Sequence, residues 1–409
     1  MNCRHCHKPA NFPFLDLGSA PLSNALLTKA QLVQPETTYP LRLVVCENCW
    51  LVQTEYAASR EMVFHDDYVY FSSYSSSWVD HARRLVAEVT QRYKLDSNSC
   101  IVEIGANDGY LLQFVRNAGI PCYGIEPTAA AAASARSKGI EIIEDFFGFD
   151  LAQRLWDCGR SADLIIANNV LAHVPDLNNF VSAFARLLKP DGVATFEFPH
   201  LLTLTDQNQF DTVYHEHYSY FSLGTISRIF RSNGLDVFDV TELPSHGGSL
   251  RVSAHIMGCK TRDISPSVAA MLEKEKAAGM EELSYYSNFQ QAAERVKNDF
   301  IEFLIKAKKN NHQVAAYGAA AKGNTLLNFA GVRPDLLSFV VDRNPYKQNK
   351  FLPGSRIPVV EETVLAEQKP DLIVLLPWNL RKEIMEQLAY AKEWGARFVT
   401  AVPEITVHS

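Results

Sequence analysis

The sequence of 409 residues lacks any run of about 18 consecutive apolar residues, the length that a membrane-spanning helix needs, so we expect no membrane partner. It also lacks an excess of positive charge, since 39 Lys and Arg oppose 46 Asp and Glu and no basic arm stands out. This balance argues against a nucleic-acid partner. The N-terminus has no apolar leader, which favours a cytoplasmic protein.

Cysteine is scarce, with eight residues in the chain, and in a cytoplasmic protein such a number points to metal ligands or free thiols instead of disulfides. Four cysteines stand alone in the sequence and are interpreted as small core residues: Cys100, Cys122, Cys158 and Cys259. The composition is otherwise that of an ordinary globular protein, and the length predicts two to four domains.

The other four cysteines form two C-x-x-C pairs, Cys3 with Cys6 and Cys46 with Cys49. Such a turn lets two thiolates converge on one ion about 2.3 Å away, and two turns complete a tetrahedron for zinc. Four thiolates leave the ion no open position, so we predict one structural Zn²⁺. A redox dithiol or metal-free thiols is the alternative interpretation.

A strand, a glycine turn and a helix follow one another from Ile101, where the sequence reads I-V-E-I-G-A-N-D-G. In α/β folds this arrangement binds nucleotide-like cofactors. Acidic residues flank the turn, which suits the cationic S-adenosylmethionine (SAM) better than a pyrophosphate. The predicted cofactor-binding residues of this segment are Glu103, Gly105, Asn107 and Asp108. A structural turn with incidental acids is the alternative.

Polar residues also end the next apolar strands, and strands that alternate with helices at this spacing predict a parallel, doubly wound sheet. Ligands bind such sheets at the carboxyl ends of the strands. We predict that Glu126 accepts hydrogen bonds from the ribose hydroxyls and that Asp145 and Phe146 hold the adenine. The remaining predicted cofactor-binding residues are Pro127, Asn168 and Asn169. This stretch resembles the class I SAM-dependent methyltransferases.

The catalytic candidate is the segment Tyr214-His215-Glu216-His217, which follows the fifth strand of this unit. An imidazole has the pKa that a general base needs near neutrality, and a base is required when a methyl group is transferred to carbon next to a ketone. A metal site of two histidines and one carboxylate, or a structural corner, are the alternatives.

The strand–turn–helix pattern recurs near the C-terminus, where Gln313–Tyr317 precedes the turn Gly318–Thr325 and a later strand ends in Asp342. The lysine precedes the second glycine, so the turn is not a nucleoside-triphosphate loop. Backbone amides beside a lysine can still hold a diphosphate. We predict a second Rossmann-like unit that binds a nucleotide-linked substrate, with a scaffold that binds nothing as the alternative.

The whole chain resembles the sugar C-methyltransferases that act on nucleotide-linked 4-keto-6-deoxyhexoses. The motifs that carry this resemblance are the two C-x-x-C pairs, D-Y-V-Y at 67–70, E-I-G-A-N-D-G at 103–109, Y-H-E-H at 214–217, H-G-G-S-L-R at 246–251 and Y-G-A-A-A-K-G-N-T at 317–325. The resemblance implies a dTDP-4-keto sugar that is methylated at C3 with SAM. Whether C3 carries an amino or a hydroxyl group stays open.

The resemblance also implies roles for individual residues. His217 would be the base, Tyr214, Glu216 and Tyr68 would line the sugar, and His173 would lie near the reacting centre. The residues implied for the nucleotide sugar are Gly318, Lys322, Gly323, Asn324, Thr325 and Asp342. His246 and Arg251 would line the cleft or belong to a closing hairpin.

We therefore predict an α/β enzyme with three parts: a zinc-binding module over 1–70, a class I methyltransferase domain over 71–255 and a second Rossmann-like domain over 256–409. An O- or N-methyltransferase of a nucleotide sugar or natural product is the alternative function. An interaction protein with a relic SAM fold is a further alternative. The sequence predicts neither the oligomeric state nor which member of the Tyr/His/Glu cluster is the sole base.

Overall fold

The computed structural model describes residues 1–56 and 71–408, and their strands form three sheets. Tyr68 and the D-Y-V-Y motif lie outside the described residues, so the role of Tyr68 stays a prediction. None of the helices in the described ranges is both long enough and apolar enough to cross a membrane.

The first sheet is small and antiparallel, and it surrounds the cysteine turns. Its strands, in spatial order, are β1 (Phe12–Ala20), β2 (Tyr39–Val45), β3 (Val52–Thr54) and β9 (Ser219–Tyr220). Strand β9 belongs to the segment that directly follows the predicted base, and its Tyr220 pairs with Val52 of β3. The N-terminal module is therefore hydrogen-bonded to the predicted catalytic segment.

The second sheet has the strand order β10-β11-β8-β7-β4-β5-β6. Its strands are β4 (Ile101–Ile104), β5 (Cys122–Ile125), β6 (Ile142–Ile143), β7 (Ala162–Asn168), β8 (Leu188–Pro199), β10 (Leu235–Leu243) and β11 (Ser249–Ile256). Strands β4 to β8 pair in parallel, and β8, β11 and β10 pair antiparallel. Parallel strands are covered on both faces, which is why every residue of β4 is buried. This topology confirms the predicted class I methyltransferase fold.

Helices cover both faces of this sheet. They are α1 (Ser76–Tyr93), α2 (Leu112–Asn117), α3 (Ala129–Ser137), α4 (Phe149–Asp157), α5 (Leu177–Leu187), α6 (Leu201–Asp206) and α7 (Leu223–Ser232). The helical spacing of apolar residues predicts a helix from near Ser76, and α1 begins there, because the Ser75 hydroxyl accepts a hydrogen bond from the Trp78 amide at 3.3 Å and caps it. The sequence K-P-D-G at 189–192 predicts a turn, but these residues form the irregular start of β8.

The third sheet is the predicted second Rossmann-like unit, with the order β14-β15-β13-β12-β16-β17-β18. Its strands are β12 (Val314–Tyr317), β13 (Val340–Val341), β14 (Lys350–Phe351), β15 (Pro358–Val360), β16 (Leu372–Leu375), β17 (Arg397–Thr400) and β18 (Thr406–His408). Strands β15, β13, β12, β16 and β17 pair in parallel.

The helices of the C-terminal third differ from the prediction in two places. They are α8 (Pro266–Ala277), α9 (Leu283–Tyr286), α10 (Phe289–Lys309), α11 (Ala321–Phe329), α12 (Thr363–Gln368) and α13 (Arg381–Gln387). The amphipathic pattern predicts one long helix from about Glu282 to Asn310, but the helix is broken after Tyr286, whose ring packs against Phe14 and Trp50 of the N-terminal module. The predicted turn Gly318–Thr325 is shorter than expected, because helix α11 already begins at Ala321.

One apolar core joins all three parts of the chain. It contains Phe14 from β1, Phe210 from the segment before the predicted base, Phe300 from α10 and Leu326 from α11. The predicted boundaries 1–70, 71–255 and 256–409 stay predictions. Each sheet takes its strands from one of these ranges, with the exception of β9, and helix α8 packs on α7 and β10 of the central sheet.

Candidate active site

The four predicted zinc ligands converge. The Sγ atoms of Cys3 and Cys49 lie 3.6 Å apart, those of Cys6 and Cys46 lie 3.5 Å apart, and all four lie within 4.8 Å of one another. Zn–S bonds of about 2.3 Å in a tetrahedron require S···S distances of about 3.8 Å, so the cluster fits the ion. The His5 ring hydrogen-bonds to Asn178 instead.

The metal alternative at the Y-H-E-H segment is not supported by the described residues. Among them, the four cysteines form the only group of three or more His, Cys, Asp or Glu side chains whose ligand atoms converge. His215 lies apart from its neighbours because its Nε2 contacts the Tyr39 carbonyl oxygen at 3.2 Å.

The strand ends of the central sheet carry buried polar groups. Glu103 in β4 is buried, and burial raises the pKa of its carboxyl group well above the usual value. Asn168 at the end of β7 is 6% exposed, and neither atom of its amide has a hydrogen-bond partner among the described residues. Because a buried polar group without a partner is costly, these strand ends fit a polar ligand such as SAM.

The turn after β4 is tied to the next strand by Glu126. One carboxylate oxygen of Glu126 accepts from the Asn107 amide at 2.9 Å, and the other accepts from the Thr128 amide at 2.8 Å and from the Thr128 hydroxyl. Gly105 has φ +69°, and a Cβ atom there would lie 2.6 Å from Val170 Cγ2. Glycine is required for this close approach.

The other predicted cofactor residues are placed less directly. Asp108 is buried and its carboxylate pairs with Lys138 Nζ at 3.2 Å, whereas Asp145 forms a partly exposed pair with Arg154 at 3.0 Å. Pro127 and Phe146 are half-buried beside these turns. Since ion pairs already use the two carboxylates, their contacts with the cofactor stay predictions.

His217 is buried, and its two ring nitrogens have different environments. Nδ1 lies 3.1 Å from the Thr212 carbonyl oxygen, which can only accept, so we assign the ring hydrogen to Nδ1. Nε2 then accepts the hydroxyl hydrogen of Tyr214 at 2.8 Å. Burial lowers the pKa of His217 well below its usual value, and His173 lowers it further. His217 is thus a neutral imidazole with its lone pair on Nε2.

His173 and Glu216 complete this cluster. The rings of His173 and His217 lie edge to face with centroids 4.7 Å apart, and burial lowers the pKa of His173 to about 4. Glu216 is buried, and its Oε1 accepts a hydrogen bond from Asn24 Nδ2 at 3.0 Å. Burial raises the pKa of the Glu216 carboxyl group. The structure therefore brings together Tyr214, Glu216, His217 and His173.

The glycines of the C-terminal turn serve packing within their own domain. A Cβ atom at Gly318 would lie 2.4 Å from Pro377 Cγ, and one at Gly323 would lie 2.7 Å from Leu376 Cβ. Both glycines are thus explained by the close approach of β16 and the residues after it. Asp342 accepts hydrogen bonds from the amides of Ala319 and Asn344, both at 2.8 Å.

The other predicted residues of helix α11 lie at the junction of the domains, and Thr325 contacts the central domain directly. The Thr325 hydroxyl donates to the Val213 carbonyl oxygen at 2.8 Å. Lys322 Nζ donates to Asn379 Oδ1 at 2.8 Å. Asn324 is buried, and within the described ranges its amide has no hydrogen-bond partner. The binding of a diphosphate by these residues stays a prediction.

Sequence reasoning missed two residues at the junction of the domains. Asp211 is fully buried, and its Oδ2 accepts from Trp378 Nε1 at 2.7 Å. Burial raises the pKa of Asp211 to about 6. Asn24, the partner of Glu216, was also missed as a site residue. Asp211 and Asn24 belong to none of the motifs that the sequence analysis recognised, so no sequence pattern marks them.

The two residues left open by the sequence take different places. Arg251 pairs with Glu197 at 2.6 Å across the β8–β11 ladder, so it belongs to the hairpin. Nδ1 of His246 lies 3.4 Å from Asn169 Nδ2, at the end of β7. His246 therefore lies beside the predicted cofactor site.

Comparison with known proteins agrees with this architecture. Residues 3–64 match the family model "Putative zinc binding domain", residues 78–240 match "Methyltransferase domain", and residues 244–403 match "C-methyltransferase C-terminal domain". The C-methyltransferase NovU of Streptomyces niveus is 35% identical over 407 residues, which cover 100% of this chain and 96% of that protein.

Two further similarities involve only part of the chain. The ubiquinone biosynthesis O-methyltransferase of Agrobacterium fabrum is 28% identical over 97 residues, which cover 23% of this chain and 38% of that protein. The solved structure of magnesium protoporphyrin IX methyltransferase (ChlM) from Synechocystis PCC 6803 with bound SAH is 19% identical, covers 44% of this chain and 83% of that chain, and has a TM-score of 0.36.

The match to NovU extends over every part of the chain, and the three family models follow one another in the order of the three sheets. This agreement confirms the prediction of a methyltransferase enzyme, and it supports the predicted cofactors, SAM and one zinc ion. The chain belongs to the C-methyltransferase family that combines a zinc-binding domain, a methyltransferase domain and a C-methyltransferase C-terminal domain.

Proposed function

We propose that this enzyme methylates C3 of a dTDP-linked 4-keto-6-deoxyhexose in deoxysugar biosynthesis, with His217 as the base. The observation that carries the proposal is the state of His217, a neutral imidazole whose Nδ1 is held by Thr212 and whose Nε2 carries the lone pair. A C-methyltransferase needs a carbon nucleophile, and removal of a proton next to a ketone provides one.

The cofactors have separate places in this proposal. Glu103, Glu126 and Asn168 would hold SAM, which supplies an electrophilic methyl group when bound. Cys3, Cys6, Cys46 and Cys49 would hold the zinc ion, which supports the fold, because four thiolates leave it no position for substrate. The sugar would enter between the central and C-terminal domains, where His217 and Lys322 lie.

Tyr214 and Glu216 support the base from two sides. The Tyr214 hydroxyl donates to Nε2 of His217, so it occupies the direction from which a proton would arrive. Glu216 is held by Asn24 of the N-terminal module. We infer that Tyr214 is displaced towards the sugar hydroxyls when substrate binds, which exposes the lone pair of His217.

The test combines substrate identification with one substitution. Incubation with SAM and a panel of dTDP-4-keto-6-deoxyhexoses should yield a product heavier by one methylene unit. NMR should then show a new branched carbon, whereas a methoxy or N-methyl signal would favour the O- or N-methyltransferase alternative. A folded protein that binds SAM but methylates no member of the panel would refute the substrate class.

His217→Ala should lower kcat by about 10²–10⁴-fold, the usual contribution of a general base. Binding of SAM and substrate, measured by calorimetry, should change little. His215→Asn is the matched control, because the His215 ring contacts the Tyr39 carbonyl in the N-terminal module. Near-normal turnover in His217→Ala would remove His217 from the role of base.

A further inference from the structure

A lysine of the C-terminal domain lies half-buried at the junction with the central domain. Lys322 is in the first turn of α11, and its Nζ donates to Asn379 Oδ1 at 2.8 Å and lies 4.6 Å from the centroid of the Trp378 ring. The same indole donates through Nε1 to Asp211 of the central domain. The ammonium group is therefore held at the domain junction by two side chains, Asn379 and Trp378, and Trp378 connects it to Asp211.

The residues of this junction are adjacent to those that contact His217, the predicted base. Asp211 precedes Thr212, whose carbonyl oxygen accepts the Nδ1 hydrogen of His217. On the other side, a Cβ atom at Gly247 would lie 2.5 Å from the Trp378 ring, so the turn that carries His246 also packs here. Lys322 is thus linked to both histidines through packed neighbours.

Several titratable groups surround His217, and Lys322 differs from the others in its charge. The titratable groups that act on His217 or on its immediate neighbours are His173, His246, Tyr214, Tyr220, Glu216, Asp211 and Lys322. Burial lowers the pKa of both His217 and His246, and the positive charge of Lys322 lowers each further. Burial also lowers the pKa of Lys322, and the negative charge of Asp211 raises it. With both imidazoles neutral, Lys322 in its protonated form is the positive charge that acts on both histidines.

We propose that Lys322 supplies the positive charge that stabilises the substrate enolate when His217 removes the proton next to the ketone. This inference rests on the proposed function. In the step, the C3–H bond breaks and its proton goes to Nε2 of His217. The electron pair of that bond forms the C3=C4 double bond, and the carbonyl π pair moves onto the C4 oxygen. A fixed cation near developing negative charge lowers such a barrier.

This role differs from the one that the sequence predicts for Lys322. A lysine that holds the diphosphate contributes to nucleotide binding, so its loss weakens the affinity for dTDP. A lysine that stabilises the enolate contributes only when charge develops, so its loss lowers kcat and leaves nucleotide affinity unchanged. The two roles therefore predict opposite results.

The experiment compares Lys322→Met with Lys322→Arg. Lys308→Met serves as the matched control, because Lys308 is a half-exposed lysine of α10 that pairs with Asp335. The first measurement is the exchange of the sugar C3 proton with D₂O, with S-adenosylhomocysteine in place of the methyl donor. The second is the Kd of dTDP by calorimetry, and the third is the titration of His217 by NMR in the free protein.

In Lys322→Met the exchange should slow by about 10²-fold, the usual effect of removing one charge-stabilising group. The Kd of dTDP should stay unchanged, and Lys322→Arg should retain most of the exchange. The titration of His217 should move to higher pH, because removal of a nearby cation makes the protonated imidazole less unfavourable. Lys308→Met should match the wild type in all three measurements.

Asp211→Asn provides a second variant in case Lys322→Met does not fold. It removes the negative charge opposite Lys322, so the titration of His217 should move to lower pH, opposite to the shift in Lys322→Met. Weaker dTDP binding with normal exchange in Lys322→Met would assign Lys322 to the diphosphate and overturn the inference. An unshifted His217 titration in both variants would also overturn it.

If the proposed function itself were wrong, the experiments would give a different set of results. In that case the wild type would neither exchange nor methylate any 4-keto sugar. The NMR titration would then still show whether the charge of Lys322 reaches His217, and an unshifted titration would refute the inference by itself.

Discussion

The two Rossmann-like units share most of their local construction and differ at one strand end. In both, a glycine with positive φ approaches the second residue after a neighbouring strand: Gly105 meets Val170, and Gly318 meets Pro377. In both, the acid directly after the next strand holds the turn in place, since Glu126 accepts a hydrogen bond from the Asn107 amide. Asp342 accepts the Ala319 amide in the same way.

The difference lies in the strand that faces the turn. Strand β7 ends in Asn168, which is followed by Asn169, and within the described ranges both side chains have amide atoms without partners. The corresponding strand β16 is followed by Leu376, which packs against Gly323. The acid that holds the turn is thus common to both units, whereas the facing strand ends differ: one is polar and the other is apolar and packed.

The largest expected effect concerns the support of the central site by the zinc module. Replacement of Cys46 by Ala, or removal of zinc by a chelator, should cost on the order of 10 kcal/mol of metal-linked folding free energy in this module. Hydrogen exchange should rise in β1–β3 and in residues 214–220, because β9 pairs with β3. Strands β12 and β16 should stay protected, and their simultaneous loss would show that the C-terminal sheet depends on the module as well.

A smaller effect on stability is expected when Leu376, the residue after β16 in the C-terminal sheet, is replaced by a polar residue. Leu376 is 2% exposed, so Leu376→Asn should lower the free energy of unfolding by about 2–5 kcal/mol, through lost packing and a buried amide. Urea unfolding measures this change. Val407→Asn is the control, because Val407 is a half-exposed residue of the edge strand β18 in the same sheet. A neutral result for Leu376→Asn would mean that the strand end reaches solvent or ligand.

The reverse change at the central sheet should affect binding more than stability. Asn168→Leu has a similar volume and removes the buried amide, so the free energy of unfolding should stay the same or rise by about 1 kcal/mol. The affinity for SAM should fall by at least about tenfold, because the loss of one hydrogen bond costs about 1.4 kcal/mol. Calorimetry with SAM and urea unfolding check the two parts. Unchanged SAM affinity would remove Asn168 from the cofactor site.

Much of the site was predictable where the signal is local. The C-x-x-C spacing gave the four cysteines that converge, and the alternation of strands and helices gave both parallel sheets. The Y-H-E-H segment was predicted to be the catalytic cluster, and its Tyr214 and His217 do contact each other, whereas His215 lies apart. The direction of each side chain was not predictable. Adjacency in the sequence did not show that the His215 ring contacts Tyr39 while the His217 ring contacts Tyr214.

Other features were not predictable, because they depend on contacts between distant segments. Asp145 is predicted to hold the adenine, and only the structure shows that it also pairs with Arg154 at the surface. Lys322 is predicted to hold a diphosphate, and only the structure shows that it lies in the first turn of α11 against Trp378. Both ligand contacts stay predictions.

The sequence by itself determined the four clustered cysteines, the strand–turn–helix units and the family motifs, because each depends on residue types at short, fixed spacings. Only the tertiary structure decided which polar strand ends remain without partners among the described residues and which domain brings Lys322 to the junction. These outcomes depend on burial, and burial is set when the three sheets pack into one core. Desolvation lowers the pKa of His217, and the positive charge of Lys322 lowers it further.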